Sequence, residues 1–254
     1  MKTKMFLCFL SFLFTISFSS FADSSKEIES AKKSGKCMYL VITDKNAKGT
    51  DELVKLAEDA QKKAKKTSII KIDRDDKANE AIITKYRLAG VPVPLILVLA
   101  PNGAVSGSLS KQDASVDKLL AFLPTPKQAE VLQGFENGKA AMIICSKKSL
   151  KDKDNLSSEC DKAIKGLDNK ALKVIVDVEN KEEKNFLDLI KPDLTKTTIL
   201  IFNGKGQYTS TLEANASSDD IIKAVNKKMG GGCCPGGSGS GCGKPNNNSG
   251  CGKK

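Results

Sequence analysis

The stretch "IIKIDRDDKANEAIITKYRLAGVPVPLILVLAPNG", residues 69–103, decides the fold. It opens on an apolar run of strand length that ends in Asp73. The carboxylates of Asp73–Asp76 have the look of a calcium-ligand run. They lack the glycine and closing glutamate of an EF-hand loop, so a strand end that caps the next helix accounts for them better. Residues 76–87 then place Ala78, Ala81, Ile82 and Tyr86 on one face at helical spacing. Val91–Pro94 leads into a second apolar strand, and Pro101-Asn102-Gly103 turns the chain into a third.

The same grammar extends on both sides. Ser24–Lys36 is polar and reads as helix, and Cys37–Thr43 reads as strand. Residues 50–66 carry Leu53, Leu56, Ala57, Ala60 and Ala64 at helical spacing. Thr50 is the expected N-cap there, with Asp51 and Glu52 in the first turn. Residues 113–123 close the unit as a helix. Strand, helix, strand, helix, strand, strand, helix is an α/β order, a mixed sheet flanked by helices. A boundary is expected at Pro124–Gln128, after which the order restarts: strands at 139–145, 171–178 and 197–202, with helices between them, then a turn and a partner strand at 207–213. Two units, 24–124 and 126–229, thus repeat one architecture.

The pattern resembles the thioredoxin superfamily. Residues 31–42, "AKKSGKCMYLVI", resemble the first helix and first central strand of exported members, and residues 69–103 resemble the family's second half. The resemblance implies two tandem thioredoxin-like domains. It puts Pro94 on the family's cis-proline, beside which, with Val93, an extended peptide would lie. It also puts Ala47-Lys48-Gly49-Thr50 where redox members carry Cys-x-x-Cys, whose thiols a helix N-terminus activates. No cysteine lies between Cys37 and Cys145, so no slip of register restores that pair. In the second unit the matching turn, Leu150–Lys153, also lacks cysteine, and no proline occurs between Asp193 and Gly204.

Composition narrows the chemistry. The chain has 254 residues, a net charge of +11 and no histidine. That removes imidazole from any base or triad. The lysines alternate with carboxylates and only Arg74 and Arg87 are arginines, which speaks against nucleic-acid binding. Residues 1–22 read as a secretory leader: Lys2 and Lys4, an apolar run, then Ser20 and Ala22 as small residues before the cut. Export implies a periplasmic or secreted protein, with no membrane span after cleavage, in a compartment that permits disulfides. Cys37 reads as a small core residue. Cys145 and Cys160 read as core residues, with a structural disulfide between them as the alternative.

From Gly230 onward the chain is a glycine-rich tail that cannot offset its ordering entropy, so disorder is expected there. It carries Cys233, Cys234, Cys242 and Cys251. These are open to disulfide pairing, within the tail or with another molecule, or to capture of a soft ion such as copper or zinc. The expected role is binding or scaffolding of a protein or peptide partner, without a cofactor and without Cys-x-x-Cys catalysis. The alternative is thiol exchange or metal capture by the tail.

Overall fold

The structure is a computed structural model and describes residues 24–228. The leader and the tail, with Cys233, Cys234, Cys242 and Cys251, lie outside the described residues. The first unit runs α1 (Ser24–Lys33), β1 (Cys37–Thr43), α2 (Thr50–Lys63), β2 (Thr67–Asp73), α3 (Glu80–Lys85), β3 (Leu95–Leu99), β4 (Val105–Ser110) and α4 (Val116–Ala121). The second runs α5 (Pro126–Glu136), β5 (Ala140–Ser146), α6 (Asp152–Gly166), β6 (Ala171–Asp177), α7 (Lys184–Ile190), β7 (Thr198–Phe202), β8 (Tyr208–Glu213) and α8 (Ser218–Val225).

Each unit holds one four-stranded sheet, β2-β1-β3-β4 and β6-β5-β7-β8. In both, the first pair is parallel and the other two are antiparallel. The central strands β1 and β5 are buried along nearly their whole length, so they read as continuous apolar runs rather than alternating ones. Each sheet separates two cores. Met38, Leu40 and Ile42 pack under α1 and α3, whereas Tyr39 and Val41 pack under α2 and α4. In the second unit Ala141, Ile143 and Cys145 face α5 and α7, while Met142 and Ile144 face α6 and α8.

The correspondence reaches single residues. Cys37 and Ala140 open the central strands, and Leu95 and Thr198 open the antiparallel ones. Left-handed Arg87 and Lys191 end the third helix of each unit, and left-handed Gly103 and Gly206 sit in the hairpin turns. Both hairpins are bulged at the same place, after Val98 and after Ile201.

Pro126 at the first helical position and a Thr125–Gln128 capping box start α5. The units touch there: Asn102 Nδ2 donates to Ala129 O at 2.7 Å, and Val105 N donates to Glu136 Oε1 at 2.6 Å. Ala100 and Ala104 pack on Ala129 and Leu132.

Two helix readings need correction. The cap of α2 is Gly49, left-handed at φ 89°, and Thr50 is already helical. Its hydroxyl is used inward, as described below. The helix over 76–87 begins with a 3₁₀ turn, Lys77–Asn79, capped by Asp76 Oδ1. Three residues per turn rotate its face relative to an α-helical wheel. Asn79, Ile82 and Ile83 are therefore buried, while Ala78 and Ala81 face solvent.

Candidate functional site

The sheet register places the candidate site. Leu95 pairs with Ile42, so Pro94 stands across from Thr43, where β1 ends and the turn 44–49 departs. The Val93–Pro94 peptide is cis. Pro94 offers no N–H, and both residues are half-exposed.

The turn is held from inside. Thr43 Oγ1 and Thr50 Oγ1 are 2.7 Å apart and buried, tying the strand end to the helix start. Asp44 Oδ1 accepts from Asn46 N at 2.9 Å, and Asp44 Oδ2 from Arg74 Nη2 at 2.6 Å. The Asn46 amide, followed by the Arg74 guanidinium, holds the Asp44 carboxyl below its ordinary range. The other arm of Arg74 donates to Val91 O at 2.7 Å and, more weakly, to Ala89 O at 3.4 Å. One guanidinium thereby binds the turn to the loop that carries Val93 and Pro94.

Arg74 was visible in sequence only as one of two arginines among carboxylates. Nothing local showed that it would span the site. Of those carboxylates, Asp76 caps the 3₁₀ turn and Asp73 Oδ1 accepts from Asp75 N at 2.9 Å. Asp75 Oδ2 accepts from Lys45 N at 3.3 Å. Lys111 is a second residue that the sequence did not flag. Its side chain lies against Gly49, where a β-carbon would collide with it, and its ammonium is 3.1 Å from Glu52.

Ala47-Lys48-Gly49-Thr50 occupies the start of α2, where a dithiol would meet the helix N-terminus. Cys37 lies at the opposite end of β1, six residues from Thr43, or about 20 Å at strand rise. It borders a cleft between the units that also meets Pro101, Pro124 and Lys66. Burial pushes its thiol up to about 11.

Cys145 and Cys160 are fully buried, and each is free. The structure does not bring them together. Cys145 points under α5 and α7, Cys160 packs on the α6 side, and the sheet lies between them. The disulfide alternative is thus not realised. Burial pushes both thiols up to about 12.

In the second unit Thr197 takes the place of Pro94, one residue before β7. Its hydroxyl donates to Asp152 Oδ1 at 2.6 Å and meets Ser146 Oγ at 2.7 Å. Ser146 and Thr197 are buried. This bridge ties the strand end to the start of α6 through the residue that stands in the place of Pro94, whereas in the first unit Thr43 and Thr50 make that tie without Pro94. Among the described residues no group of three or more cysteine or acidic side chains is placed to hold a metal ion, and no helix is long and apolar enough to cross a membrane.

A four-stranded mixed sheet of this order, with helices on both faces and a proline loop beside the first long helix, is decisive. The fold is that of thioredoxin, present twice. No protein-family model matches the sequence, and no curated protein matches it. Solved structures similar to it are tandem thioredoxin-domain proteins. The first two thioredoxin domains of Saccharomyces cerevisiae Eps1p are 13% identical over 81% of this chain and 96% of that one, with a TM-score of 0.32. The N-terminal domain of Enterococcus faecalis AhpF is 16% identical over 79% and 98%, at 0.29. Zinc-bound human ERp44 is 12% identical over 78% of this chain and 56% of its own, at 0.33. At that distance these structures lend nothing to activity, substrate or partner. The thioredoxin assignment rests on the strand order and the loop geometry.

Proposed function

We propose that this is an exported, non-catalytic binding protein whose first thioredoxin-like unit holds an extended peptide beside Val93 and Pro94. One observation carries the reading. The turn where thiols would stand is thiol-free, yet Arg74 still pins it to the half-exposed proline loop. A peptide laid along the Val91–Pro94 loop would add backbone hydrogen bonds at Val93, the kind of contact that strand addition uses. The second unit, bridged by Thr197, takes a scaffolding role.

Cys37, Cys145 and Cys160 are poor nucleophiles as placed, because burial holds them in the thiol form. Any sulfur chemistry, intermolecular disulfide or soft-metal capture would therefore fall to the four tail cysteines.

The test is an amide-shift titration of the full chain with carboxamidomethylated insulin B chain, an unfolded peptide without free thiols. Saturable shifts are expected at Val91, Val93 and Leu95, with none at Thr197 and Thr198. Shifts confined to other surfaces, or none at saturating peptide, would overturn the reading.

A further inference from the structure

The two units differ most in what they place on the face covered by their first and third helices. In the first unit the space between α1, α3 and the β3–β4 hairpin is filled by Tyr86, whose hydroxyl donates to Gly103 O at 3.1 Å. The roof above it is charged. Lys32 pairs with Glu29 at 2.7 Å, and the Lys85 ammonium lies 4.9 Å from the centre of the Tyr86 ring.

The second unit puts different chemistry in those places. Ile190, just before left-handed Lys191, stands where Tyr86 stands before left-handed Arg87. Leu189 replaces Lys85, Leu132 replaces Glu29 and Phe135 replaces Lys32. The last match is direct. The Lys32 side chain is nearest the β-carbon direction of Gly103, and the Phe135 ring is nearest that of Gly206.

The consequence is a cavity of about 500 Å³ lined by Phe135, Leu189, Ile190, Phe202 and Tyr208, with Lys191 at its edge. The Phe202 ring is central, 5.9 Å from Phe135 and 5.7 Å from Tyr208, centroid to centroid. Leu189 is 67% exposed and Tyr208 48%, so two of the four large apolar side chains that face solvent among the described residues line this one cavity. A lone exposed leucine needs no explanation, whereas an aromatic-lined concavity of this size has the dimensions and lining of a small-molecule site.

Charge selects the occupant. Lys184 is held by Asp188 and Lys196 by Glu213, but no carboxylate among the described residues pairs with Lys191. We infer that this cavity binds a small amphiphilic carboxylate. Its aromatic or alicyclic body lies in the cavity against Phe135, Phe202 and Tyr208, and its carboxylate meets the Lys191 ammonium. This site is separate from the peptide edge at Pro94 and does not depend on it.

The full chain, labelled with ¹⁵N, is titrated with 1-naphthoate and, in parallel, with the neutral 1-naphthalenemethanol. Both should saturate, with shifts at Leu189–Lys191 and Tyr208. The acid should bind about fivefold more tightly, the upper end of what an exposed ion pair gives. Lys191→Gln should erase that difference and leave the alcohol unchanged. Ile190→Tyr should refill the cavity as Tyr86 does and abolish both; should that variant not fold, the Lys191→Gln comparison still decides. Absence of saturable binding overturns the inference, as does binding that survives the folded Ile190→Tyr variant. Equal affinity for acid and alcohol also overturns it and makes the cavity a socket for an apolar side chain of a protein partner.

Discussion

Replacing Arg74 with methionine keeps the apolar stem of the side chain and removes the guanidinium with its charge. In the native structure Nη1 donates to Val91 O at 2.7 Å and Nη2 meets Asp44 at 2.6 Å. A hydrogen bond from a charged donor contributes about 1.5–3 kcal/mol. The Asp44 pair adds less, because solvent still reaches both side chains. The 3.4 Å approach to Ala89 O is too long to count. The expected loss is therefore about 2 kcal/mol, confined to the first unit, which is about thirtyfold in an opening equilibrium. Native-state hydrogen exchange on the full chain reads this directly. The Leu40 and Leu97 amides should exchange about thirtyfold faster, and those of Ile143 and Leu200 should be unchanged. Amides of the 89–94 loop should lose order on the fast timescale. Unchanged exchange at Leu40 and Leu97 would refute the claim that this guanidinium fastens the proline loop to the turn.

Other consequences are as specific. Gly49→Ala should destabilise the first unit by about 1–2 kcal/mol, because a β-carbon is disfavoured at φ 89° and would displace Lys111; urea denaturation measures this. Thr197→Val should cost about 1–3 kcal/mol in the second unit, since it strips buried Ser146 of a partner; Ile143 and Leu200 amide exchange reports it. Alkaline stability has a fixed sign. The Cys37, Cys145, Cys160, Tyr39 and Tyr86 groups all have folded values raised by burial, to about 11 or 12. Their contribution is complete below the unfolded values, about 8.5 for thiols and 10 for phenols, and is lost as pH rises through the folded ones. The urea midpoint should thus hold to about pH 8 and fall steadily toward pH 12; a midpoint that rises with alkali would contradict the burial of these groups.

Much of this molecule can be read from its sequence, because strand runs and helix stripes are local signals. Residues 37–43 and 139–145 announce central strands, and Pro101-Asn102-Gly103 announces a hairpin. What fails is whatever depends on contacts far apart in the chain. Thr50 has the chemistry of a cap, but Thr43 claims its hydroxyl from the neighbouring strand, and Gly49 alone tolerates the left-handed position. Strand parity places Cys145 with Ala141 and Ile143. Only the handedness of the crossovers shows that Cys160 belongs to the opposite layer. The Arg74 clamp spans Asp44 and Val91, both remote in sequence. The exchange of Glu29, Lys32, Lys85 and Tyr86 for Leu132, Phe135, Leu189 and Ile190 is written in the sequence. It becomes meaningful only when the structure sets the two units residue against residue.

The central claim is that the thioredoxin fold is kept here for holding a peptide, without disulfide exchange by its folded cysteines. Insulin reduction by dithiothreitol, followed by turbidity, tests this most directly, using a full chain in which Cys233, Cys234, Cys242 and Cys251 are replaced by serine. The account predicts the rate of dithiothreitol alone at every protein concentration. Acceleration in proportion to the added chain would contradict it.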